Sequence, residues 1–252
     1  MTVIDEARRH AAVDALYRQV EAITPITVEF VDGPSWGSLT LDGATTIEAG
    51  TASNPAAALY HELLHADLKN AGYRQHSLLL AANAAAKAAQ ELLAPLDNEL
   101  QHHRMFPRFS AAGFADDAFY GDDDTASFAW VRQQLAGVSD QMPVGHILML
   151  LLTVIAPGGH GSAEERAELR GAILDQAGPP KAAILAAVED HIAAWAISDQ
   201  ADPRETLRAI FVELGGYGGG WVGVTEAFPD DGFFTGRAFS METALAYLQG
   251  GG

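Results

Sequence analysis

The stretch Asn54–Tyr73, "NPAAALYHELLHADLKNAGY", sets two histidines and a glutamate inside a run of strong helix formers. Asn54 is a good N-cap and Pro55 suits a first helical position, while Lys69, Asn70 and Gly72 supply stop signals. These features predict a helix of about four turns. On a helix, positions i and i+4 lie one turn apart on the same face, so His61 and His65 can offer imidazole nitrogens to one ion with Glu62 held beside it. The pattern is H-E-x-x-H, in which two histidines bind zinc and the glutamate acts as general base. Uncharged Tyr60, Leu63, Leu64 and Ala66 surround it, and Asp67 follows where the stricter metallopeptidase signature usually has an apolar residue.

Upstream, "ITVEFVD" alternates like a half-buried strand, and "SLTL" and "ATTIEA" are joined by Asp42-Gly43, a strong hairpin signal. Residues 5–22 are expected as a helix through Ala12, Val13, Leu16 and Val20. Downstream, a helix over 77–94 is expected to stop or kink at Pro95, with a short third helix over 96–105. Further helices are expected near 124–136, 143–156, 163–176, 180–197, 203–214 and 241–249. Their starts are marked by Pro143, Pro180 and Pro203 and by Ser162 and Asp202 three residues before Glu165 and Glu205. The links "APGGHGS" and "LGGYGGGWVG" are expected as loops.

A catalytic zinc needs a third protein ligand and an open position. The preferred candidate is Glu99 in "DNELQHH", with Glu91, Asp97, His102, His103 and Asp117 as alternatives. Pro95 is what would let the chain fold back to place Glu99 near His65. The strands, the H-E-x-x-H helix and the Asn98-Glu99 helix together resemble the gluzincin branch of the zincin metallopeptidases over residues 26–105. That resemblance implies zinc held by His61, His65 and Glu99, with Glu62 as general base. Gluzincins have an acidic residue behind the metal where this chain has His103. An oxyanion donor would come from His102, His103 or Tyr120, and a peptide substrate would add to the edge of the 44–49 strand, as in that family.

The expected fold is therefore α+β and predominantly helical. A small N-terminal antiparallel β region precedes the H-E-x-x-H helix, and a helical C-terminal half follows. A catalytic half over 1–137 and a helical half over 138–252, completing a cleft, are the expected domains. A di-iron carboxylate protein built on Glu62/His65 and Glu99/His102, or a non-catalytic zincin-like binding protein, are the competing expectations.

Composition narrows the partners. Across 252 residues, 33 acidic against 15 basic groups give a formal charge of −18, which repels nucleic acid and anionic membranes. The absence of cysteine excludes thiolate ligands and leaves His, Asp and Glu for any metal. The apolar run 147–156 is too short to span a bilayer, and a cytoplasmic location is expected. His10, His76, His146 and His191 read as surface or core residues. "DDAFYGDDD" lacks EF-hand spacing, and "GGYGGG" lacks the lysine and Ser/Thr of a phosphate loop. His160, between glycines, reads as a turn residue that a moving loop could deliver to a site.

Overall fold

A computed structural model describes residues 2–76, 78–79, 84–120, 125–139, 141–159, 161–216, 220–224, 228, 231–236 and 240–249. His160, the centre of "GGYGGG" and the "GDDD" that ends "DDAFYGDDD" lie outside these residues. The fold is α+β and predominantly helical, with a small N-terminal sheet and a helical C-terminal half. The chain forms two compact units rather than dividing at one point near residue 137. One comprises residues 1–73, 101–130 and 156–165, and the other 74–100, 131–155 and 166–252.

In the first unit, the helix expected over 5–22 is two helices, α1 (Val3–Ala7) and α2 (Ala11–Glu21). Thr2 and Asp5 close a capping box on α1, and His10 takes an extended conformation at the start of α2, which breaks the run. Strands β1 (Ile26–Phe30), β2 (Trp36–Leu41) and β3 (Ala44–Ala49) form a sheet in the order β1-β3-β2. The β2–β3 hairpin is antiparallel, and Asp42 and Gly43 both have positive φ (50° and 74°), the conformation that matches a two-residue turn to strand twist. β1 joins parallel to β3, so the sheet is mixed and β3 is its central strand. A peptide therefore cannot add to the edge of residues 44–49, because both edges of β3 are already paired. Among the described residues, the free edges are those of β1 and β2.

Helix α3 (Pro55–Asn70) carries the motif as expected, with the Asn54 side chain accepting from the Ala57 amide. It is the central helix of this unit, packed on α1, α2, β2 and β3 and buried at Leu59, Leu63, Leu64 and Leu68. That burial on nearly every side explains why the helix lacks an apolar stripe of its own.

Helix α4 (Ala84–Ala111) runs unbroken through Pro95, correcting the expected stop or kink there and the separate third helix. Proline removes one hydrogen bond, to the carbonyl of Glu91, but Glu91 is exposed and its carbonyl can be met by water. Buried Leu92, Leu93, Leu96 and Leu100 hold both sides of the proline to the core of the second unit. Within the expected helix 77–94, Leu78–Leu79 form strand β4 instead. From Gln101 onward α4 belongs to the first unit, with a 3-10 turn at Asp116–Ala118 following it. Gly158 (φ 79°) passes so close to this turn that a Cβ there would lie 2.9 Å from the Asp116 carbonyl, the Phe106 ring and Phe119. The Gly159 amide donates to the same carbonyl at 3.1 Å. Gly158 and Gly159 thus fit closely against Phe119 and the turn that precedes it.

Helices α5 (Thr125–Leu135), α6 (Val144–Ile155), α7 (Ala163–Ala177), α8 (Pro179–Ala196), α9 (Arg204–Glu213) and α10 (Met241–Gln249) follow closely where they are expected. Ser162 caps α7 through the Glu165 amide at 3.1 Å. In the second unit, Trp195 donates its indole N–H to the Leu100 carbonyl at 2.9 Å, and Arg170 grips Glu189 with two bonds of 2.6 Å. A second sheet, β4 with β5 (Trp221–Gly223) and β6 (Gly232–Phe234), replaces part of the expected loop 214–223. His76 is fully buried 2.8 Å from Asp202, and Asp231 pairs with both Arg74 and Arg204. His10 stacks on Phe114 at 4.6 Å, His146 is exposed and His191 lies 3.6 Å from Glu213, so each has a structural or surface setting.

Candidate metal centre

Three imidazoles converge in the first unit. His61 and His65, one turn apart on α3, bring their Nε2 atoms to 3.1 Å. His102 on α4 completes the trio, with the three ligand atoms all within 4.8 Å of one another. Its ring centroid is 5.1 Å from that of His61 and 5.3 Å from that of His65. Tetrahedral zinc with Zn–N near 2.0–2.1 Å places its nitrogens roughly 3.3 Å apart, so small rotations would bring this set onto one ion. The donor set also fits: imidazoles suit zinc, and magnesium and calcium take oxygen.

Electrostatics favour ligation. His61 is held well below the usual imidazole range, first by burial and then by the His65 and His102 rings, against a hydrogen bond to the Phe119 backbone. His65 is pushed down to about 3, mainly by burial, then by His102, against its bond to Gln101. Both are therefore neutral at physiological pH, the state a metal requires. Phe119 packs 4.5 Å from His61 and 5.4 Å from His102, and Phe106 and Phe109 pack behind it at 5.2 and 5.0 Å. This aromatic wall covers His61 and His102, while His65 is half-buried.

Glu62, 7% exposed, lies on α3 beneath the sheet. Burial raises its carboxyl to about 7, Ser38 of β2 beside it favours the charged form, and Glu48 of β3 opposes ionisation. A carboxylate so tuned accepts a proton and releases it near neutral pH.

The structure thus brings together His61 and His65 with Glu62 beside them, and Tyr120 lies against the trio, its ring 4.9 Å from His102 and 6.4 Å from His61. The third member of the cluster is His102, one of the alternatives, and Glu99, the preferred candidate, lies one turn earlier on α4, outside the trio. Residues 99 and 102 share a helix face, so spacing alone could not separate them. His103 is half-buried on α4, turned about 100° from His102. Asp97 is buried and Glu91 and Asp117 are exposed, and none of them joins the trio.

One contributor is not among the residues expected from sequence. Gln101 Oε1 lies 2.9 Å from His65 Nδ1 and accepts its proton, leaving the Nε2 lone pair for a metal. The signal is present in "DNELQHH", but glutamine is not a usual metal ligand and a search for ligand types does not find it. Gln101→Ala is expected to weaken zinc binding by about 10–100-fold without abolishing it, as loss of such outer partners does, measured by competition with a chelator.

Comparison of the chain with protein-family models, curated proteins and solved structures finds no match. The case for a metal centre therefore rests on the motif and on the geometry of these side chains. Among the described residues, no helix is long and apolar enough to cross a membrane.

Proposed function

We propose that this protein is a zinc-dependent hydrolase of peptide bonds, with His61, His65 and His102 holding the metal and Glu62 as general base. The observation that carries it is the convergence of the three imidazoles, with the buried carboxyl of Glu62, held at about 7, on the residue that follows His61. Zinc bound there would polarise a carbonyl and make water a stronger acid. Glu62 would take the proton of the attacking water and pass it to the leaving amine, the cycle its raised carboxyl suits. Tyr120, whose ring lies against His102, would stabilise an oxyanion by donating a hydrogen bond from its hydroxyl, with His103 the other candidate. Phe119 would keep bulk water from His61 and His102.

An extended substrate would pair with the outer edge of β2, which has no strand partner among the described residues and carries Ser38 on the Glu62 side. The strong acidity and lack of cysteine fit a cytoplasmic enzyme with neither nucleic-acid nor membrane partners.

Metal content of the purified and the zinc-reconstituted chain, by mass spectrometry, tests the proposal together with hydrolysis of a mixed peptide pool. One zinc per chain is expected, with hydrolysis lost to a chelator and restored by zinc. Two irons per chain would support the carboxylate bundle instead. One zinc without hydrolysis would indicate a binding protein on a zincin-like scaffold, and no specific metal would overturn the assignment.

A further inference from the structure

Asp67 is the residue that departs from the apolar character of the motif helix, and its surroundings explain why. It lies two residues beyond His65, on the side of α3 turned away from the imidazoles. Its carboxylate is buried, 8% exposed, and accepts from Arg108 Nη1 at 2.6 Å and from Gln19 Nε2 at 2.7 Å. Arg108 is on α4, six residues past His102 and roughly 9 Å further along the helix axis. The pair therefore ties the helix that supplies His61 and His65 to the helix that supplies His102, and Gln19 ties both to α2.

An ion pair between a buried carboxylate and a half-exposed guanidinium is a modest source of stability, because water screens the Arg108 end and desolvation of Asp67 offsets much of the attraction. What it supplies is a fixed register. Ligand atoms must sit within about 0.2 Å of their required distances, and a slide or roll of α4 on α3 moves His102 by more than that. Building on the zinc site proposed above, on which this rests, we infer that the Asp67–Arg108 pair, steadied by Gln19, is a positioning device that sets the affinity of the His61–His65–His102 trio for zinc.

The test measures the zinc dissociation constant of the full chain by chelator competition, with the visible spectrum of the cobalt-substituted protein as a report on ligand geometry. The variants are Asp67→Asn, Arg108→Met, Arg108→Lys and, as a control on α8 in the second unit, Glu189→Gln, which breaks the Arg170–Glu189 pair. Asp67→Asn and Arg108→Met are expected to weaken zinc by about 10–100-fold and to alter the cobalt spectrum, as loss of outer supports to a metal does. Arg108→Lys recovers part of the loss. Glu189→Gln lowers thermal stability and leaves zinc affinity unchanged.

Wild-type affinity in both folded variants overturns the inference, and so does an equal loss of affinity in Glu189→Gln, which would mark a general effect of destabilisation. If Asp67→Asn does not fold, Arg108→Met decides, since the Arg108 side chain is 44% exposed and its removal leaves Asp67 bonded to Gln19. A wild-type chain that binds no zinc overturns the metal centre itself, an outcome distinct from a zinc site indifferent to these two residues.

Discussion

Glu62→Gln is expected to abolish peptide hydrolysis, by about 100-fold to 10,000-fold, while zinc stays bound at one per chain. The amide keeps the shape of the carboxyl but cannot take a proton, and Glu62 is not among the three converging imidazoles. Undiminished hydrolysis in this variant would sink the assignment of the base. The same substitution has a second readout in the metal-free protein. Because the native carboxyl is raised to about 7, the unfolded chain releases its proton first as pH rises, and native stability is lost between about pH 4.5 and 7. The loss amounts to about 3 kcal/mol at most, an order-of-magnitude figure from the size of the shift. An uncharged amide at this position carries no such penalty, so the variant should gain on wild type across that window and hold the gain above pH 7 in urea denaturation. His65 has the opposite sign: lowered to about 3, it favours the native state above pH 6.5 and withdraws that support as pH falls toward 3. The difference between variant and wild type isolates Glu62 from this acid limb.

His102→Ala and Glu99→Gln, measured side by side, are expected to separate sharply. Loss of His102 removes one of three nitrogen donors and should weaken zinc by more than about 100-fold, beyond the range typical of outer-shell partners. Glu99→Gln should leave the dissociation constant near that of wild type. The reverse result would restore the glutamate expected from the gluzincin resemblance and remove His102 from the site. Circular dichroism on both variants guards against misfolding, which is a concern because both side chains are largely buried.

How much of this is legible in the sequence depends on whether the deciding interaction is local. The motif helix, its Asn54 cap and the Asp42-Gly43 turn are set by neighbours within four residues, and all three stand as expected. Pro95 misleads because its intrinsic cost is local, whereas the packing of Leu92, Leu93, Leu96 and Leu100 that outweighs it is not. The three-residue strands β5 and β6 are too short to show alternation, and their glycines resemble loop residues. The parallel pairing of β1 with β3 and the approach of His102, rather than Glu99, to His61 and His65 are decided by tertiary placement. Spacing on one helix narrows the third ligand to a face and stops there. Asp67 reads as a flaw in the motif because its partners, Gln19 and Arg108, lie 48 and 41 residues away in sequence.

The distance along the chain between the motif helix and His102 has a thermodynamic side. An ion shared by His61, His65 and His102 would be a cross-link closing a loop of some three dozen residues, and it would bind the folded chain alone. Metal and native structure would then draw on one equilibrium, each stabilising the other by RT ln(1 + [Zn]/Kd). Cellular zinc would in that case act as a ligand of folding as well as a cofactor. In a starved cell the two helices would be joined by the Asp67–Arg108 pair and by their packing, without the further cross-link of the ion.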